Sequence, residues 1–429
     1  MPLIITSLIS KAVSIASRFF GIGAGVTWAG EIGLTLDPKI INKLIPQVKK
    51  GVIVIAGTNG KTTTSAMVKH ILNESDYKVI HNKTGANLEN GIAGTLLLNT
   101  NFLGKLSIDF AIFELDEGAF PKVITKLNPK IIVLLNLFRD QLDRYGEVDS
   151  IAQKWMIGLK GVSDKTTLVC NADDPLISEI GNKFKGKVVY FGLNDSSKTI
   201  SKLPHAVDST YCLNCGNKLS YKKVFLSHFG DWYCTNCHLK RPKLTLNKIN
   251  SPLIGVYNEY NSLASSLTCQ VLGISKNEAQ QKILTFTPAF GRQEEFNVNS
   301  KKIKIFLSKN PAGFNESLRT VLTQKDFSTI IFALNDRIAD GTDVSWIWDV
   351  DFDEIVSKTN NILCTGDRAN DMAIRIKYAG DKDIKPIFDL NKAIEKGLEN
   401  TRENETLYIL PTYTAMLDIR KILTGKKIS

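Results

Sequence analysis

Cysteine is scarce and poorly placed for cross-linking. The 429 residues hold seven, Cys170, Cys212, Cys215, Cys234, Cys237, Cys269 and Cys364, four bunched and three scattered. That excludes the disulfide framework of small secreted domains, and the scattered three read as small buried hydrophobes. Long uninterrupted apolar runs are also missing. The first 36 residues are apolar, but Lys11 and Arg18 break the stretch, so it is no membrane span. No short basic lead precedes it, so it does not read as a signal peptide, and a cytoplasmic chain is expected. No basic stretch is interleaved with aromatic residues, which argues against a nucleic-acid partner. Internal repeats and low-complexity tracts are lacking too.

What is present suits a globular protein of two or three domains: 43% hydrophobic and 23% charged residues, enough to build separate cores. The formal charge of +11 points to anionic ligands or surfaces, without separating nucleotide, nucleic acid and anionic lipid from a merely solvated basic surface. In the opening segment Leu3, Ile4, Leu8, Ala12, Ile15 and Phe19 recur at helical spacing. Such a helix packs on the domain that follows, or lies on a membrane surface.

The most informative stretch runs from Ile53 to Thr64. A β-branched run ends in Gly57-Thr58-Asn59-Gly60-Lys61-Thr62-Thr63-Thr64, and a helix-forming segment to about Asn73 follows. This is the strand–loop–helix layout of a phosphate-binding loop. Gly57 and Gly60 let backbone N–H groups close round an anion, and the helix N-terminus adds partial positive charge. Lys61 reaches outer phosphates, and the Thr62 hydroxyl is placed for Mg²⁺. Ile55 stands where the usual pattern has its first glycine.

Further along, Lys78–His81, Asp109–Phe113, Lys130–Asn136 and Thr167–Cys170 read as strands alternating with helical stretches, among them one entered through Thr84-Gly85-Ala86-Asn87. That alternation predicts a doubly wound parallel sheet with ligands at its carboxyl edge. Glu114, Asp116 and Glu117 follow one strand, where a metal-binding carboxylate belongs; spacing alone does not choose among them, and Glu114 is nearest the strand end. Asn136, with Arg139, Asp140, Asp143 and Arg144, closes another, and Asn171-Ala172-Asp173-Asp174-Pro175 a third. The rhythm breaks near residue 205. Cys212-Leu213-Asn214-Cys215 and Cys234-Thr235-Asn236-Cys237, 18 residues apart, have the two-knuckle spacing of a zinc ribbon. Four thiolates close the coordination shell, so the zinc is structural, and His238 is superfluous. After a hinge at Phe290-Gly291-Arg292-Gln293-Glu294, strands at Ile303–Leu307, Thr329–Leu334, Asn361–Thr365 and Leu407–Pro411 predict a second, Rossmann-like α/β domain. The expected organisation is a helical extension over 1–50, an ATP-binding domain over 51–295 with the ribbon inserted at 206–243, and the second domain over 296–429.

The loop Gly57–Thr64 resembles that of the Mur ligases, which join amino acids to peptidoglycan precursors. Asn171–Pro175, Tyr257-Asn258 through Asn261, and Gly291-Arg292 resemble their motifs in the same order. The early phosphate loop leaves no room for the uridine-nucleotide domain of ordinary members. The ribbon, Lys309-Asn310-Pro311-Ala312-Gly313 and Asp340-Gly341-Thr342-Asp343-Val344-Ser345-Trp346 resemble one branch, the ligase-like subunits of lipid II isoglutaminyl synthase.

That resemblance implies ATP, Mg²⁺ and Zn²⁺ as cofactors. It implies phosphorylation of the α-carboxylate of D-glutamate in lipid II, then attack by ammonia from a glutamine amidotransferase partner of the GatD type. Lys61 would stabilise the transferring phosphoryl group, and Thr62 and Glu114 would bind magnesium. Gly57 to Thr63, Asn258, Asn261 and Arg292 would line the nucleotide. Asp343 would orient the partner's catalytic histidine. Two features depart from the family: Gln141 replaces a histidine, and Lys309 opens what is elsewhere a His-Asn-Pro motif. No residue is assigned as a carboxylated lysine or to a second magnesium. A folylpolyglutamate synthase-like ligase also has an early phosphate loop, but leaves the ribbon and the Asp343 loop unexplained. A nucleic-acid-binding ATPase and a non-catalytic scaffold are the remaining alternatives.

Overall fold

The computed structural model describes residues 2–20, 25–82, 85–140, 147–201, 203–204, 207–287, 292–298, 300–359, 361–380 and 383–425. Thr84, Gln141, Asp143, Arg144 and Gly291 therefore lie outside the described residues, as does the side chain of Arg292.

The apolar opening forms two helices, α1 (Leu3–Phe19) and α2 (Val26–Leu36). The first sheet starts with β1 (Gly51–Ala56), the phosphate loop and α3 (Lys61–Asn73). It continues through β2 (Val79–His81), α4 (Glu89–Leu98), β3 (Phe110–Leu115), β4 (Ile131–Leu134), β5 (Thr167–Asn171) and β6 (Lys187–Phe191). All six strands are parallel, in the order β2-β3-β1-β4-β5-β6. β1 lies in the middle, with Val52, Val54 and Ala56 in one core and Ile53 and Ile55 in the other. A strand buried on both faces needs a continuous apolar run, and Val52 to Ala56 supply it. Chain direction across the sheet reverses beside β1, which opens a crevice at its carboxyl end.

β7 (Ser220–Leu226) and β8 (Phe229–Tyr233) form an antiparallel hairpin carrying the cysteine knuckles. α5 (Val256–Val271) then packs on the first sheet. The second sheet contains β9 (Arg292–Val298), β10 (Lys301–Phe306), β11 (Phe327–Ala333), β12 (Asn361–Thr365) and β13 (Thr406–Pro411), with α6 (Pro311–Leu322) after β10. Its order is β12-β11-β13-β10-β9, parallel except for β9.

Four differences from the sequence reading have physical causes. β3 extends through Glu114, whose place opposite Ile55 keeps it in the ladder, so the acid lies in the strand and not after it. The residues read as a helical run only from Ser262 to Leu272, but α5 begins at Val256, which puts Asn258 and Asn261 one turn apart on the helix and not ahead of it. β9 already belongs to the second sheet, so the change of sheet precedes Arg292 and does not fall at 296. Finally, α1 packs through the wrong face. Thr6, Ser7, Ser10, Ser14 and Ser17 are buried, while Leu8, Ile15 and Phe19 face outward. The surface beneath it is built of small residues: a Cβ added to Gly33 would stand 3.3 Å from Ser10 Oγ, and one added to Gly25 2.8 Å from Ser14 Oγ. Small hydroxyl side chains fit that close approach where Leu or Ile would clash.

Candidate active site

The loop after β1 turns on two glycines with φ of 150° at Gly57 and 87° at Gly60. A side chain at Gly60 would be strained and would also meet Asn261 Oδ1 at 2.2 Å. The rest of the loop is clamped from below. Thr58 N donates to Asn136 O at 3.1 Å, and Phe138 N donates to Thr58 Oγ1 at 3.0 Å. Asn136 holds Asn59 from both sides, accepting from its N–H at 2.8 Å and donating to its carbonyl at 2.9 Å. Asn261 accepts from Thr64 Oγ1 at 3.3 Å and donates to Asn258 Oδ1 at 3.2 Å. Both asparagines are buried, so they support the loop from behind. Thr63 is buried on the same helix turn.

Lys61 folds back over the loop, donating to the carbonyls of Gly57 and Thr58 and lying 3.2 Å from Glu117 Oε2. Thr62 Oγ1 donates to Glu114 Oε2 at 2.8 Å, and Ser65 Oγ and His81 Nε2 reach Glu114 Oε1 at 2.6 and 2.8 Å. Burial alone would raise the Glu114 carboxyl, but His81, Ser65 and Thr62 hold it below the ordinary carboxylate range. The pairing of Ile55 with Glu114 across β1 and β3 creates this juxtaposition. A hydroxyl and an ionised carboxylate within one hydrogen bond of each other, beside a phosphate loop, are oxygen donors suited to Mg²⁺. Asn82 fixes the Glu114 backbone, accepting its N–H at 2.8 Å and donating to its carbonyl at 3.0 Å.

The second sheet reaches this site through Lys309 and Asn310. Lys309 Nζ lies 2.5 Å from Asp140 Oδ2, and Asn310 and Asn59 exchange side-chain hydrogen bonds. Asn310 also caps α6, accepting from Gly313 N at 2.9 Å. Arg139 pairs with Asp208 at 2.5 Å and lies 3.9 Å from Asp349. Asp343 stands elsewhere, exposed in the loop after β11. There the Ser345 N–H donates to its carboxylate at 2.8 Å and holds it below the ordinary range.

The four knuckle cysteines converge, with all four Sγ atoms within 4.8 Å of one another. Cys212 and Cys237 are 3.5 Å apart at sulfur, as are Cys215 and Cys234. A tetrahedron with zinc–sulfur bonds of about 2.3 Å has edges of roughly 3.8 Å, so the donors fit Zn²⁺. Hydrogen bonds from the Asn236 side chain and the Asn217 N–H pull the Cys215 thiol down to about 6, and Asn214 and Leu239 N–H lower Cys237. The knuckles match: Gly216 N donates to Cys212 O and His238 N to Cys234 O, at φ of 73° and 61°. His238 thus holds the left-handed turn position that glycine fills in the first knuckle. The hairpin is anchored to the strand end after β5, where Trp232 Nε1 donates to Ala172 O and Arg241 Nη1 to Asp173 Oδ1, both at 2.9 Å.

Ser65, His81 and Asn82 were not identified as site residues from the sequence, while Glu117 and Asn136 stood out only as polar residues at strand ends. His81 and Asn82 carried no signal, because only the order β2-β3-β1 brings them beside the loop.

A model of the Mur ligase middle domain matches residues 55–269, and one of the MurT ligase C-terminal domain matches 307–416. The chain is 32% identical over 431 aligned residues, 95% of this chain and 94% of the relative, to a Staphylococcus aureus "lipid II isoglutaminyl synthase (glutamine-hydrolyzing) subunit MurT". A Streptococcus pneumoniae protein of the same name matches at the same identity and coverage. In fold it resembles a pseudomurein peptide ligase type C from Methanothermus fervidus (TM-score 0.66, 24% identity, 88% of this chain and 79% of that one). It also resembles the MurF ligase of Thermotoga maritima in complex with ADP (TM-score 0.62, 13% identity, 94% and 84%). The FolC of E. coli, in complex with DHPP and ADP, shares the fold as well (TM-score 0.60, 14% identity, 90% and 92%). With both of its domains matched and 95% of its length aligned to these subunits, the chain belongs to the Mur ligase family, in the MurT branch.

Proposed function

We propose that this chain is the ATP-using ligase subunit of a lipid II isoglutaminyl synthase, acting in peptidoglycan synthesis. The observation that carries the reading is its similarity to subunits of that name over 95% of its length. The D-glutamate α-carboxylate attacks the γ-phosphorus of ATP, releasing ADP and leaving an acyl phosphate. Ammonia then adds to the acyl carbon, phosphate departs with the carbon–oxygen bond, and the nitrogen loses a proton to give the D-isoglutamine amide.

Each residue has a part. The loop Gly57–Thr62 presents backbone N–H groups to the phosphates, and Lys61 leaves Glu117 to meet charge developing on the transferring phosphoryl group. Thr62 and Glu114 hold Mg²⁺, which, when bound, offsets the phosphate charge. Asn258 and Asn261 keep the loop in shape for the nucleotide, and Arg292, by the family pattern, would meet the phosphates when the domains close. The zinc is structural: its four thiolates leave no open position.

Ammonia comes from glutamine hydrolysed by a GatD-type partner, and Asp343 orients that partner's catalytic histidine. Its surroundings support an interface. Ile338 is 93% exposed, and half-exposed Trp348, which closely follows the loop in sequence, stacks edge-on with exposed Tyr378 at 5.5 Å.

The test incubates the purified chain with ATP, Mg²⁺ and lipid II, supplying either ammonium or glutamine, with and without the amidotransferase. Mass spectrometry should find amidated lipid II with ammonium alone, and with glutamine only when the partner is present. Extension of a folate by glutamate, without amidation of lipid II, would instead assign a folylpolyglutamate synthase-like activity.

A further inference from the structure

Helix α1 inverts the usual amphipathic arrangement. Its serine and threonine stripe is buried, and its opposite arc carries Ile4, Ile5, Leu8, Ile15 and Phe19. Exposure rises along it, from 43% at Ile4 to 68% at Ile15 and 84% at Phe19, and Phe20 beyond it is 72% exposed. A second apolar tip stands alongside. Phe102 and Leu103, 82% and 63% exposed, form the turn after α4. The turn adjoins α1, because Lys11 Nζ lies 5.7 Å above the Phe102 ring and a Cβ on Gly104 would be 3.2 Å from Leu3 Cγ. Burying polar side chains and exposing large apolar ones costs stability unless something apolar covers the face.

We propose that this face docks the protein on an anionic lipid bilayer, α1 lying in the plane of the headgroups. Charge favours that occupant. α1 contains Lys11 and Arg18 and no acid, and residues 1–50 carry Lys39, Lys43, Lys49 and Lys50 besides, against only Glu31 and Asp37. Apolar residues on one arc with cations at its flank are the makeup of an interfacial helix. At 17 residues α1 is about 25 Å long, and no helix among the described residues is long and apolar enough to cross a membrane. A lipid-linked substrate, as proposed above, gives the docking a use, but the docking rests on the face itself and is tested without substrate.

The test is flotation of the full chain with vesicles of phosphatidylcholine alone or of equal parts phosphatidylcholine and phosphatidylglycerol, at low and high salt. The wild type should float with the anionic vesicles, less so with neutral ones or in high salt. Ile15→Glu/Phe19→Glu should cut the bound fraction about tenfold or more while leaving the thermal midpoint unchanged. Phe102→Glu/Leu103→Glu, on the neighbouring turn, should weaken binding in the same direction and guards against a folding defect in the helix variant. A wild type that stays with the unbound protein, or helix and turn variants that both float as it does, overturns the proposal. So does a lipid-free dimer in sedimentation velocity that Ile15→Glu/Phe19→Glu splits, since a second copy then covers the face. Loss of flotation on adding the amidotransferase likewise assigns the face to that subunit.

Discussion

Asn59 and Asn310 lie 251 positions apart, yet their side-chain amides hydrogen-bond to each other at 3.0 and 3.3 Å. Asn59 sits in the phosphate loop, and Asn310 caps the first helix of the second domain. The pair ties the start of that helix to the loop.

Replacing Asn310 separates two effects. Asn310→Ala loses the cap on α6, about 1 kcal/mol, together with the contact to Asn59. Asn310→Asp keeps a capping oxygen but cannot donate to Asn59. Urea denaturation should find the alanine variant destabilised and the aspartate variant close to wild type. Steady-state kinetics should show KM for ATP raised several-fold in both, as about 1 kcal/mol of lost loop support implies.

The ribbon should bind about one zinc per chain and contribute to stability without taking part in chemistry. Cys234→Ser should reduce bound zinc, measured by elemental analysis, and lower the thermal midpoint as the anchors at Trp232 and Arg241 loosen. With ATP saturating, the rate of the protein that remains folded should fall by less than about twofold, since four thiolates leave a bound zinc no open position for substrate.

Glu316 gives a pH signature. Burial raises its carboxyl to about 7, opposed by Arg319, whose guanidinium lies 3.0 Å from Oε1. Oε2 is buried without a hydrogen-bond partner among the described residues. A folded-state pKa above the unfolded value means that the stabilising contribution is complete below about 4.5 and lost as pH rises through about 7. Glu316→Gln removes that loss. Its stability relative to wild type should therefore increase between pH 5 and pH 8, by on the order of 1–3 kcal/mol in urea denaturation. An unchanged difference across that range would show that the carboxyl does not titrate there.

Asp343→Asn should separate the two nitrogen sources. The variant with its amidotransferase should lose glutamine-driven amidation by about a thousandfold or more, as loss of the orienting acid does in other triads. Ammonium-driven amidation should stay within about twofold. Equal loss of both would move Asp343 to the ligase site.

Much of the fold was legible because parallel strands announce themselves. Runs such as Ile131–Leu134 and Thr167–Asn171, buried on both sides, are apolar throughout. β6 and β9 were not, since Lys187–Phe191 is only partly covered and Arg292–Val298 is an edge strand rich in polar residues. The loop and the four cysteines were marked by local spacing, whereas Glu114 was one of three acids at its strand end until the pairing of β1 with β3 set it beside Thr62. His81 and Asn82 were not marked, because they reach the loop only through strand order, which no local pattern encodes. The inverted α1 illustrates a different limit. Helical periodicity locates an apolar face, but the packing against Gly25 and Gly33 decided which face turned inward.

The most direct test of the proposed chemistry follows oxygen. Lipid II carrying ¹⁸O in the D-glutamate α-carboxylate is amidated with ammonium and ATP, and the released phosphate is analysed by mass spectrometry. An acyl phosphate requires that each turnover move one labelled oxygen from the carboxylate to inorganic phosphate. Amide formation with no label in the phosphate would contradict the account.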